Sequence, residues 1–169
     1  LQRSDVRLLS LTGPGGVGKT RLGTQTAMEA SADFPDGVVF VSLAPLRDPV
    51  LVLPAIAHAV GAPESSTRSL FSKVTDTLRP RCALLFLDNI EHLLPAAPQV
   101  AALLLACPDL KVLVTSRARL RVAGEQEYRV PPLELPGETR PAAVDDLASI
   151  PAVALFVARA KAADPAFTL

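Results

Sequence analysis

A chain of 169 residues suffices for one domain of ordinary size, burying about 70% of the surface its unfolded form exposes. Its 17 basic and 17 acidic side chains cancel to a formal charge of zero, which excludes a global field drawing the chain to nucleic acid or to an anionic membrane. Hydrophobic residues make up 49%, yet the longest unbroken apolar run, Val100 to Cys107, is far too short to span a bilayer.

Taken in order, a polar lead-in from Leu1 to Asp5 precedes a β-rich run from Val6 to Thr12. The residues that follow, Gly13-Pro14-Gly15-Gly16-Val17-Gly18-Lys19-Thr20-Arg21, contain G-x-x-x-x-G-K-[ST], a phosphate loop. Glycines let several backbone N–H groups converge on one anion, and the helix behind them adds its positive end. In this pattern Lys19 reaches the β- and γ-phosphates and the Thr20 hydroxyl holds Mg²⁺. Gly23, Ala27 and Ala30 give the helix a small-residue face suited to close approach to a sheet.

Phe34-Pro35-Asp36-Gly37 reads as a turn, and Val38 to Leu43 as a second strand whose unbroken apolar character predicts cover on both faces. Asp48 and Pro49 start a helix over Val50 to Val60 that Gly61 ends, with His58 a partly buried structural histidine. Ser65 and Ser66 are placed to cap the next helix, whose stripe is Leu70, Phe71, Val74 and Leu78 before the break at Pro80-Arg81. Cys82 to Asp88 is a third buried strand, delivering a carboxylate at its end. Pro95 and Pro98 precede a helix with Val100, Leu103, Leu104 and Cys107 on one face, stopped by Pro108.

Lys111 to Ser116 is a fourth strand ending at Arg117, and Glu127 to Val130 a short fifth leading into Pro131-Pro132. From Gly137 a Pro- and Asp-bearing linker follows, then a helix from Pro151 to Ala163 with Val153, Phe156, Val157 and Ala160 on its apolar face. Strands alternating with helices make an α/β fold with a mostly parallel sheet. Cys82 and Cys107 sit in apolar runs without metal-ligand spacing and read as buried free thiols of a reducing compartment. No basic stretch followed by an apolar one opens these residues, so a cytoplasmic protein is expected.

Ligands of such sheets bind outside the carboxyl ends of the strands, so the residues after strands one, three and four should meet. These are the phosphate loop, Asp88 and Arg117. Asp88 after four apolar residues is a Walker B carboxylate that orients Mg²⁺, usually through water. Arg117 is placed to sense a γ-phosphate, the alternative being a solvated arginine of the Arg117, Arg119, Arg121 cluster. Asn89 follows Asp88 where many related ATPases carry a glutamate, and an amide cannot take a proton from water. Glu91 is the substitute base, unless it only neutralises the start of the next helix, and turnover should be slow. His92 reads as structural. Asn89 is the sole asparagine, so a guanine-reading Asn-Lys-x-Asp loop is excluded.

Three blocks in matching order, Gly13 to Arg21, Leu87-Asp88-Asn89-Ile90-Glu91-His92-Leu93-Leu94, and Val114-Thr115-Ser116-Arg117, resemble the STAND class of signal-transduction ATPases. Within it they are most similar to the NB-ARC-like domain of bacterial LuxR-type and SARP-type transcriptional regulators, over about Val6 to Val130. Leu155-Phe156-Val157 resembles the start of the helical domain that follows there. The resemblance implies a three-layer αβα P-loop NTPase with a five-stranded sheet in the order 5-1-4-3-2, residues 1–136 as core, and 137–169 as linker and first helix of the helical domain. It implies ATP/ADP and Mg²⁺ as ligands, a state closed with ADP and open to homo-oligomerisation with ATP, and effector and sensor domains in the same full-length chain. It also implies further nucleotide-contacting motifs before the first strand and in the later helical domain.

The expected site is therefore Lys19, Asp88, Glu91 and Arg117 for hydrolysis, Gly13, Pro14, Gly15, Gly16, Val17, Gly18, Lys19, Thr20 and Arg21 for the nucleotide, and Thr20 with Asp88 for the metal. Neither nucleic acid nor membrane is an expected direct partner. Two other functions stay open: a P-loop small-molecule kinase, in which the arginine cluster would serve as a lid, and a non-hydrolysing scaffold acting through the apolar face of the last helix.

Overall fold

The computed structural model describes residues 1, 3–64, 67–136, 147 and 149–168. They form two compact units, Leu1–Val130 and Pro131–Leu169. In the first, five strands, β1 (Leu8–Thr12), β2 (Val38–Ser42), β3 (Leu84–Asp88), β4 (Lys111–Ser116) and β5 (Glu125–Arg129), pair in parallel in the order β2-β3-β4-β1-β5. This is the expected order read from the other edge. Parallel neighbours need crossovers, and α1 (Lys19–Glu29), α2 (Val52–Val60), α3 (Leu70–Leu78) and α4 (Ala97–Ala106) supply helices for them.

Period-two alternation in the central strand divides the helices between the two faces. Leu84 and Phe86 of β3 pack with Leu11, Ala27 and Phe34 on the α1 side, whereas Leu85 and Leu87 join Ile56, Val74 and Leu103 beneath α2, α3 and α4. The result is three layers with β3 buried along its whole length. On α1 the predicted small-residue face of Gly23, Ala27 and Ala30 is buried. A Cβ on Gly23 would stand 2.6 Å from Phe86 Cζ, so only glycine lets α1 lie this close to the sheet.

Several sequence expectations need correction. β2 is an edge strand, with Phe40 52% exposed and Val38 and Val39 only half-buried. Its apolar run marks membership of the sheet but not position, because an edge strand has a neighbour on one side only. His58 is exposed, not partly buried. α2 starts two residues late because Pro49–Leu51 forms a 3-10 turn, capped by Asp48 Oδ1 accepting the Val50 N–H at 3.0 Å. α3 is capped by Ser69, whose Oγ accepts the Ser72 N–H at 3.2 Å; Ser65 and Ser66 lie outside the described residues, as does most of the linker expected after Gly137. Pro98 sits in the first turn of α4, where its missing N–H costs nothing, and not ahead of it.

The far end of α4 exposes carbonyls that no residue of the helix can satisfy. Arg7 does so from the strand lead-in, its guanidinium donating to the carbonyls of Leu104 (2.6 Å), Cys107 and Leu110 (3.2 Å). Cys107 beneath it is 0% exposed, and burial pushes its thiol up from the ordinary value. Cys82 is half-buried, less enclosed than its apolar run suggested. Thiolate access decides alkylation. A thiol reagent should therefore modify Cys82 first and reach Cys107 only with denaturant, as read by peptide mass spectrometry; the reverse order would contradict this packing.

In the second unit, α5 (Pro151–Ala163) has no fully buried residue. Val153, Val157 and Ala160 are half-buried, and Phe156 meets Phe167 edge to face at 5.8 Å. Among the described residues no helix is long and apolar enough to cross a membrane.

Candidate functional site

β1 ends at Thr12, and the chain turns through the glycine loop into α1 at the carboxyl edge of the sheet. Gly16 and Gly18 take φ of 82° and 96°, a region that a side chain disfavours. Gly18 is the left-handed N-cap of α1, and its carbonyl accepts the first helical bond, from Leu22 N at 2.9 Å. The N–H groups of the opening turn consequently have no partner within the helix and point into the loop. Lys19, 9% exposed, folds back so that Nζ donates to the carbonyls of Gly13 at 2.8 Å and Pro14 at 2.9 Å. An ammonium has three donors, so one remains for another acceptor.

Register brings the second element in. Leu87 of β3 stands beside Val114 of β4, which sets Asp88 next to Thr115 one residue on. Asp88 Oδ1 accepts two hydroxyls, from Thr20 at 2.7 Å and Thr115 at 2.6 Å. Thr115 Oγ1 in turn accepts the Asn89 N–H at 2.8 Å, holding Asn89 in its left-handed conformation at φ 69°. The sequence reading assigned no role to Thr115. Its signal was available, a hydroxyl at the end of the buried strand that carries Arg117, but its use depends on β3 and β4 being neighbours.

Arg117 reaches back across the same end. Its Nε donates to Glu91 Oε1 at 2.8 Å, and its Nη2 lies 3.7 Å from where a Cβ on Gly15 would stand. Arg119 instead pairs with Glu125 and Glu127, both at 3.7 Å. The Arg121 N–H, with that of Leu120, is taken by the buried Glu125 carboxylate. The structure thus separates the arginine cluster into one residue at the phosphate loop and two elsewhere. Arg21 is exposed on α1. His92 Nε2 meets the Leu46 carbonyl at 2.8 Å; a carbonyl only accepts, so Nε2 carries the proton.

A cavity of about 690 Å³ opens beside these groups, with Leu46, Arg47, Asn89, Glu91, His92 and Arg117 in its wall. The donor set fits a phosphate carried with a hard cation: the amides of the opening turn and an ammonium for the anion, a hydroxyl and a carboxylate oxygen together for the metal. Among the described residues no group of three or more His, Cys, Asp or Glu could cage a metal ion. Mg²⁺ therefore suits this site only with ligands from phosphate and water.

Comparison with known proteins places the chain among related sequences. Residues 2–129 match a family model described as an AAA domain. A Mycobacterium bovis protein named as an HTH-type transcriptional regulator is 41% identical over 164 residues, 96% of this chain and 17% of that protein. The regulatory protein AfsR of Streptomyces griseus is 34% identical over 119 residues, 66% of this chain and 12% of that protein. The chain thus spans less than a fifth of the length of these relatives. Among solved structures, the ORC2 protein of Aeropyrum pernix, determined as ADPNP-ADP complexes, aligns with a TM-score of 0.53 at 16% identity, covering 77% of this chain and 42% of that one. At that identity the likeness speaks for the fold alone.

Proposed function

We propose, for a chain that belongs to the AAA domain family, that these residues are the nucleotide-binding switch of a larger transcriptional regulator. They bind ATP and ADP with Mg²⁺, hydrolyse ATP slowly in the cytoplasm, and pass the difference to effector and sensor segments of the same protein. The nearer kinship is with NB-ARC-like domains of the STAND class, in which residues 1–136 form the core and α5 begins the helical domain. The observation that carries the reading is convergence: Lys19, the Thr20–Asp88 pair and Arg117 come from three adjacent strands to one end of the sheet.

Each residue then has a role its surroundings support. The amides of the loop and the remaining Lys19 donor bind phosphate oxygens. Thr20 and Asp88 would hold Mg²⁺, which when bound neutralises charge between phosphate oxygens. Arg117, beside Gly15, distinguishes a third phosphate from its absence. Asn89 directly after Asp88 supplies no base, which makes turnover slow and the nucleotide state long-lived. ATP-dependent homo-oligomerisation is part of the same proposal.

Calorimetry with ATP and ADP tests it. Both should bind, and chelating magnesium should weaken ATP more than ADP, since only ATP offers a γ-oxygen to the metal. A titration silent for both nucleotides would refute the reading. Labelled γ-phosphate should appear as inorganic phosphate; its transfer to a small-molecule acceptor would favour the kinase.

A further inference from the structure

Glu91 was the expected base, and its surroundings suit another task. The carboxylate is only 15% exposed and sits on the 3-10 turn Ile90–His92, which is pinned on every side. Ile90 and Leu93 are fully buried, the Asn89 N–H is tied to Thr115, and His92 is tied to the Leu46 carbonyl. Arg117 is the opposite case, a long side chain 68% exposed whose one anchor among the described residues is Glu91. A fixed acid therefore holds a movable base.

The way it holds it matters. A guanidinium has five donors in a rigid plane, and Glu91 engages Nε. With that edge fixed, Nη2 lies over Gly15, 3.7 Å from the Cβ position. Turned so that both its ends are satisfied, the Asn89 amide has its nitrogen 3.2 Å from each Glu91 oxygen. Both carboxylate oxygens thus face donors from the protein itself. The Glu91 oxygens are turned toward the two nitrogens that flank them, the arrangement of a group that holds Arg117 in place.

We propose that Glu91 is the positioning residue of the γ-phosphate sensor: its carboxylate grips Arg117 Nε and turns the terminal nitrogens onto the phosphate loop. Discrimination of ATP from ADP then depends on Glu91, although Glu91 touches neither. This inference rests on the nucleotide-switch reading. The pair is a charge-assisted bond between groups of unequal mobility, so losing it frees the arginine without disturbing the loop.

The test is titration of the wild-type protein, E91A, E91Q, R117A and E91A/R117A with magnesium-ATPγS and with magnesium-ADP, beside single-turnover hydrolysis of ATP across pH. E91A should lose about tenfold of the preference for ATPγS over ADP, the share of one charge-assisted hydrogen bond, while its ADP affinity stays at the wild-type value and shows the loop intact. R117A should lose at least as much, and the double variant no more than R117A alone. E91Q keeps a neutral oxygen for Arg117 Nε and should therefore lose less of the preference than E91A, with hydrolysis following the preference. Loss of hydrolysis in E91Q with binding intact would make Glu91 the base and overturn the proposal. So would an unchanged preference in E91A while R117A loses it. If wild-type protein binds neither nucleotide, the failure belongs to the switch reading itself.

Discussion

Replacing Lys19 with alanine should weaken binding of magnesium-ATP by about ten- to a hundredfold, the share of the one charge-assisted hydrogen bond left to its third donor at roughly 1.5–3 kcal/mol. Lys19 is the ammonium enclosed by the loop, and its position is set by the Gly13 and Pro14 carbonyls, not by a mobile surface rotamer. Nothing else there can replace it: Arg21 points from the exposed side of α1, and Arg117 is held at its Nε by Glu91. The variant removes a donor from the carbonyls of buried Gly13 and exposed Pro14, so the melt is read beside the affinity. Calorimetry measures the loss and a thermal melt checks the fold. Unaltered affinity in a protein that melts normally would contradict the whole assignment of the site.

The second large effect concerns stability. Gly23→Val should lower it by about 3 kcal/mol, near the upper end of the cost of overpacking a tight core, and the melting temperature by about 10 °C. The new Cβ alone would stand 2.6 Å and 3.0 Å from two carbons of the Phe86 ring, with Leu11 Cδ1 at 3.4 Å. The ring is 1% exposed within the layer between α1 and the sheet, so it has nowhere to swing. Removing a glycine from a helix interior returns only a few tenths of a kcal/mol, too little to offset the collision. Phe86→Leu in the same chain should restore part of the loss. A melting temperature equal to the wild type would mean that α1 does not pack against β3 at this distance.

What could be read from the sequence was chemistry carried by consecutive residues. The glycine loop with Lys19 and Thr20 is a local pattern, and so is a run of apolar residues ending in Asp88; both stand where strand ends put them. The sheet and its order were also legible, through the resemblance of three blocks. What was hidden depends on register and exposure. That Thr115 shares Asp88 with Thr20 follows only from β3 lying beside β4. That Arg117 meets Glu91 while Arg119 turns to Glu125 and Glu127 follows from the path of the loop between β4 and β5. Ser69 displaced Ser65 and Ser66 as a cap because cap residues are plentiful in that stretch and only backbone geometry selects one. The first residues of β5, Glu125 and Gln126, carry no apolar signal: Glu125 is buried to accept the Leu120 and Arg121 N–H groups, and Gln126 lies exposed on an edge strand.

The order of strands sets how this protein must assemble. Lys19 and Thr20 follow β1, Asp88 ends β3 and Arg117 follows β4, so the groups that meet at the loop are separated by up to about a hundred residues of chain. Parallel pairings of such separation close late, because loop entropy must be overcome before any contact compensates it. No isolated hairpin or helix of this chain holds even two of the three groups in place. A ligand that binds only the finished sheet therefore draws the folding equilibrium toward it by mass action.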